Sequence, residues 1–71
     1  MGTSIKHAFG KQVKKLREKK GLTQADLAEL TGIDYKYVQK IEGKNPPALR
    51  IDTIEKLAKA LKISCAKLLD F

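Results

Sequence analysis

Gly21, Gly32, Gly43 and the Pro46-Pro47 pair interrupt this chain so often that it can build only short elements. Between the breaks apolar residues recur with a helical period, and no segment alternates as a half-buried strand would. Ile5, Phe9, Val13 and Leu16 mark one face of a first helix, from about Ser4 to Lys20. Gly10 lies inside it and weakens it by about 1 kcal/mol relative to alanine, and Gly21 supplies the stop. Thr23, with Asp26 three residues on, forms a variant capping box that opens a second helix. Leu27, Ala28 and Leu30 are its expected buried stripe, and Gly32 ends it. Asp34 is placed to cap a third helix, Tyr35 to Glu42, closed by Gly43. The prolines exclude helix from the loop that follows. A fourth helix spans about Ile51 to Leu61, with Ile51, Ile54, Leu57, Ala58 and Leu61 on one side. Ser64 caps a last short helix, whose Leu68, Leu69 and Phe71 either close the core or form a seam with a second copy. The expected fold is all-α, a compact bundle of five short helices.

The 71 residues allow one small domain, which at this size buries only about 60% of the surface its unfolded chain exposes. With 42% apolar and 32% charged residues the chain is hydrophobic enough to fold. No apolar run approaches the roughly 18 residues of a membrane span, and the polar N-terminus carries no signal-peptide core. A single cysteine, Cys65, fits a reducing, cytoplasmic location and reads as a small packing residue. One histidine, His7, leaves no multi-histidine catalytic or metal site and reads as surface. A chain this short also lacks room for a walled substrate pocket. No catalytic residue, metal or cofactor is therefore expected, and enzymes are excluded as a class.

Charge points elsewhere. Fifteen Lys and Arg against eight Asp and Glu give a net +7, unevenly spread. Residues 1–20 carry +6, 21–34 carry −3, 35–50 carry +3 and 51–71 carry +1. Basic groups gathered in two segments are the footprint of a polyanion binder. The lysines of the first helix (Lys6, Lys11, Lys14, Lys15, Lys19 and Lys20) cover several faces, so most are solvated and contribute to the long-range field.

The informative stretch is 23–42, two capped helices joined by a short turn containing Gly32, which is the plan of a helix-turn-helix. Ala28 is small enough for the helices to cross closely, and Ile33 can turn back into the core. On a helical wheel of the third segment, Val38 and Ile41 define the core side. Lys36, Gln39 and Lys40 fall opposite, with Tyr35 and Tyr37 at the edges. Lysine can donate to guanine O6 and N7, glutamine can pair with adenine N6 and N7, and tyrosine can meet a thymine methyl or a phosphate.

Gly21-Leu22-Thr23-Gln24-Ala25-Asp26-Leu27-Ala28, then Gly32-Ile33-Asp34, Val38 and Ile41-Glu42-Gly43, resemble the Cro/C1-type (XRE) helix-turn-helix family. Pro47, Ile51-Asp52-Thr53-Ile54 and Leu57-Ala58-Lys59-Ala60-Leu61 continue the likeness, which covers about residues 9–70. The resemblance implies a lambda-repressor-like DNA-binding domain, with helices 2 and 3 as the helix-turn-helix and residues 1–71 as one unit. It implies a sequence-specific transcription regulator that occupies an operator, with helix 35–42 in the major groove. Its partner would be double-stranded DNA, most simply a palindromic operator bound by a homodimer. The rival is an antitoxin or protein-interaction module of the same fold, with a protein partner and little DNA binding.

Carried over by position, the family pattern makes Tyr35, Lys36, Gln39, Lys40 and Gln24 base contacts. Thr23, Tyr37, Lys44 and Asn45 become backbone contacts, and Arg17 with Glu42 a structural ion pair. The chain departs from the pattern in three places. The stretch 45–50 is about two residues longer than usual, Lys62 stands where glycine is common, and tyrosine occupies both 35 and 37.

Overall fold

Side-chain caps mark where four of the five helices begin. A computed structural model describes residues 4–71, in which five helices follow one another: α1 (Ile5–Lys19), α2 (Gln24–Thr31), α3 (Tyr35–Ile41), α4 (Ile51–Leu61) and α5 (Cys65–Leu68). Ser4 caps α1 by accepting from the His7 amide. At α2 the Thr23 hydroxyl accepts from the Asp26 amide at 3.0 Å while the Asp26 carboxylate accepts from the Thr23 amide at 2.9 Å. That backbone bond holds the Asp26 carboxyl below its usual range. The capping box is therefore complete above the ordinary carboxylate pKa and opens only as pH falls through the lowered one. Ser64 caps α5 through the Lys67 amide. Gly32 ends α2 in the left-handed region, φ 76°, and its amide returns to the Ala28 carbonyl. Arg50 precedes α4 without a side-chain cap. Among the described residues no strand occurs, and no helix is long and apolar enough to cross a membrane.

One core serves all five helices. Phe9 and Val13 of α1, Leu27 and Ala28 of α2, Val38 and Ile41 of α3, Leu57, Ala58 and Leu61 of α4, and Leu68 of α5 are buried together. Leu22, Ile33, Leu49 and Ile63 pack around them from the connections, and Pro46 is buried within the longer loop.

Several apolar residues expected in the core are not there. Leu30 is 60% exposed. At 100° per residue it stands about 110° from the midpoint of Leu27 and Ala28, whereas Thr31 falls near that midpoint. Thr31 is the residue drawn in, half-buried, with its hydroxyl donating to the Leu27 carbonyl at 2.8 Å. Ile5 and Ile51, each in the first turn of its helix, are exposed as well. The four residues of α5 span only about 6 Å and cannot cover the start of α1, about 22 Å long. Leu68 is fully buried, but Leu69 and Phe71 are half-exposed, Phe71 leaning edge-on against Phe9 at 6.4 Å. Cys65 is exposed rather than packed.

Lys62 ends α4 with φ 58° and ψ 43°, a left-handed conformation in a residue that carries a Cβ. That geometry costs an L-residue about 1–2 kcal/mol, partly offset because glycine would loosen the unfolded chain by about 0.4–1 kcal/mol. Lys62→Gly is expected to stabilise by about 0.5 kcal/mol, a rise in Tm of about 2–4 °C in thermal unfolding. An unchanged or lower Tm would mean that the lysine makes a compensating contact.

Candidate nucleic-acid interface

Three local devices aim α3. Gly32 turns the chain, the Asp34 carboxylate accepts from the Lys36 amide at 2.9 Å, and Val38 and Ile41 sink completely into the core. With that side anchored, Tyr35, Lys36, Gln39 and Lys40 are all exposed, as their wheel positions predict. Lys36 and Lys40 border two shallow concavities. One, of about 690 Å³, is lined by Lys36, Gln39, Lys40, Lys44, Asn45 and Pro47 together with Gly43. The other, of about 500 Å³, adds Ile33, Asp34 and Tyr37. The outward face of α3 and the loop after it thus form one continuous basic surface.

The remaining expected contacts separate into two groups. Lys44 and Asn45 are exposed beside α3, and Thr23 is exposed at the start of α2. Tyr37 is half-buried and packs against the core, so its ring supports α3 while its edge borders the second concavity. Gln24 is half-buried too, and its Nε2 donates to Glu42 Oε1 at 3.0 Å. One amide hydrogen of Gln24 is therefore occupied within the protein, and its carbonyl and second hydrogen are what remain for a partner.

Arg17 and Glu42 form the expected pair, joined in parallel. Arg17 Nε donates to Glu42 Oε2 at 2.8 Å and Nη2 to Oε1 at 2.9 Å, while Nη1 donates to the Leu22 carbonyl at 2.7 Å. The Glu42 hydrogen bond, set against the desolvation of its buried position, raises the Arg17 pKa further, so the guanidinium stays charged. The pair ties α1, the α1–α2 turn, the start of α2 and the end of α3 to one buried point. Among the described residues every buried side-chain polar atom has a partner.

Two links on this surface were not read from the sequence. Gln24 to Glu42 spans 18 positions and has no local signature. Gln39 Nε2 donates to the Tyr35 hydroxyl at 3.3 Å, and the spacing of four along a helix is the signal that could have revealed it.

The comparisons with known proteins agree with this geometry. The sequence model described as Helix-turn-helix matches residues 13–68. The HTH-type transcriptional repressor RghR of Bacillus subtilis (strain 168) is 39% identical over 56 residues, 79% of this chain but 42% of that protein. The chain therefore spans about two fifths of that relative's length. The restriction-modification controller protein C.AhdI from Aeromonas hydrophila superposes with a TM-score of 0.83 at 38% identity, over 89% of this chain and 94% of that one. The structure of C.Esp1396I bound to a 19 base pair DNA duplex gives a TM-score of 0.86 at 31% identity, over 96% and 89% of the two chains.

Proposed function

The chain belongs to the helix-turn-helix family of the Cro/C1 type, and from that membership we propose that it regulates transcription by occupying a specific double-stranded DNA site with α3 in the major groove. One observation carries this reading: Val38 and Ile41 hold α3 so that Lys36, Gln39 and Lys40 stand free on its outer side. Lys36, Gln39 and Lys40 read base edges, with Tyr35 at the leading end of the helix and Gln24 beside it. Thr23, Lys44 and Asn45 meet phosphates on either side of the groove, and the edge of Tyr37 joins them. The α2 N-terminus favours an anion beside Thr23 through the helix dipole and the first-turn amides that the capping box does not use. DNA-bound C.Esp1396I, at a TM-score of 0.86, supports duplex binding by a chain of this fold.

A homodimer on an inverted repeat completes the proposal. Ile5, Leu49, Ile54, Leu69 and Phe71 gather around an apolar hollow of about 240 Å³ where Lys6 is the one charged lining residue. That surface, left uncovered by the bundle itself, is the face a two-fold partner would bury. The DNA-binding unit acts without catalysis, in the cytoplasm.

Anisotropy titrations of duplex selected from a random DNA pool test the reading at several salt concentrations. About five phosphates neutralised per protomer predict a slope of log K against log salt near −4.5 for each protomer bound, about −9 for the dimer. The selected sites are expected to be inverted repeats with half-sites about one helical turn apart, or a multiple of that. Lys36→Ala should relax the preference at one base pair by about 1–3 kcal/mol. Failure to enrich any sequence, with no salt-dependent duplex binding, would overturn the proposal and favour the protein-interaction module.

A further inference from the structure

We propose that Tyr35 is a positioning residue for Gln39, and that the two side chains read adenine as one unit. The inference rests on DNA binding through α3. Tyr35 and Gln39 lie one turn apart on the exposed side of the helix, and Gln39 Nε2 donates to the Tyr35 hydroxyl at 3.3 Å.

A glutamine on a solvated helix face is free to turn its amide, so it can offer a donor, an acceptor or both to a groove. The bond to the phenol favours one orientation of the amide over the others. One amide hydrogen is committed to the Tyr35 oxygen, and the other hydrogen remains beside the carbonyl oxygen. A neighbouring donor and acceptor on one edge match adenine, whose N7 accepts and whose N6 amino group donates. Guanine, with acceptors at both N7 and O6, would leave the Gln39 carbonyl facing another acceptor. Val38 lies between the two residues in sequence and is fully buried, which fixes the backbone that carries both. Because the contact is already made without DNA, the ordering that a free glutamine must undergo on binding has largely occurred beforehand.

The test is a double-mutant cycle on the full-length chain, using the duplex selected by the unaltered protein and the same duplex with each base pair replaced in turn. Gln39→Ala is expected to lower the preference for one A·T pair by about tenfold or more, as loss of a two-point base contact does. Tyr35→Phe, which keeps the ring and removes only the hydroxyl, is expected to weaken the preference at that same pair by about three- to fivefold through lost preorganisation. The thermal midpoint should stay unchanged, and any loss of affinity for unrelated duplex should be smaller than the loss at that pair. In the Gln39→Ala background Tyr35→Phe should have no further effect at that pair. Effects at different base pairs, or an equal loss on every sequence, would overturn the coupling while leaving DNA binding by α3 standing. Absence of any selected duplex would instead remove the reading on which the coupling rests.

Discussion

Gly10→Ala is expected to destabilise the domain by about 3 kcal/mol, although alanine is the better helix former. Two effects of opposite sign meet at this position. In an isolated helix the substitution would gain about 1 kcal/mol from propensity. In the bundle, a Cβ on Gly10 would lie 2.1 Å from the Ile41 carbonyl oxygen, 3.2 Å from its carbon and 3.5 Å from the Glu42 Cα. All three are backbone atoms, so no side chain can swing aside, and α1 must move away from the end of α3. Overpacking of a well-filled interior costs about 1–3 kcal/mol and occasionally more; a 2.1 Å approach to rigid backbone that also displaces Ile41 and the Arg17–Glu42 pair belongs at about 4 kcal/mol, which less the helix gain leaves about 3. At about 4–8 °C per kcal/mol for a domain of this size, the loss corresponds to a fall in Tm of about 12–24 °C. Urea and thermal unfolding measure it directly. A variant as stable as the parent would mean that α1 and α3 do not approach as closely as described. The separation would also turn α3 on its core, so the folded fraction should bind DNA more weakly.

Glu42→Ala is expected to cost about 3–5 kcal/mol, because it removes the buried, hydrogen-bonded counter-ion of Arg17 and leaves only the exposed Glu18 carboxylate 3.8 Å away. Both side chains are nearly inaccessible, at 8% for Arg17 and 2% for Glu42, so water cannot substitute for the lost carboxylate. Gln24 loses its acceptor at the same time. The cost belongs to the unpaired charge rather than to the net worth of the pair. Replacing both partners, Arg17→Met with Glu42→Leu, should therefore recover most of the stability. Denaturant midpoints for the two single variants and the double variant separate these contributions. The loss should also respond little to salt, since a buried pair is weakly screened. A cost below about 1 kcal/mol, the range of exposed pairs, would show that the site is wetter than its geometry implies.

The surface ion pair Arg50–Asp52 makes the contrast. It is formed at 3.2 Å with the two side chains 80% and 52% exposed, and such pairs contribute about 0–1 kcal/mol. It is a single bond where Arg17–Glu42 has two, and it is exposed where that pair is buried.

Much of the fold is legible in the linear chain because it is decided over four residues or fewer. Thr23 with Asp26, Asp34 and Ser64 mark the starts of α2, α3 and α5, and Gly32 marks a stop, since caps act on amides two or three positions away. The outward face of α3 is legible for the same reason. Two buried residues, Val38 and Ile41, set the rotation of a rigid helix, and Lys36, Gln39 and Lys40 then have no other direction to point.

What lay beyond the sequence required knowing where another element ends. Ile5, Leu30 and Ile51 carry hydrophobic side chains of the kind that fill cores, yet they remain exposed, because burial depends on whether a neighbour extends far enough to cover them. Gly10, read locally, is a flaw in a helix, and only the approach of the Ile41 carbonyl makes it a requirement. The link from Gln24 to Glu42 likewise exists only once α2 and α3 have crossed. Periodicity and capping are properties of a chain and its nearest turns, and they determined the helices and the exposed side of α3. Coverage and close approach are properties of two surfaces meeting, so tertiary structure alone decided which apolar groups stayed open and which glycine could not be replaced.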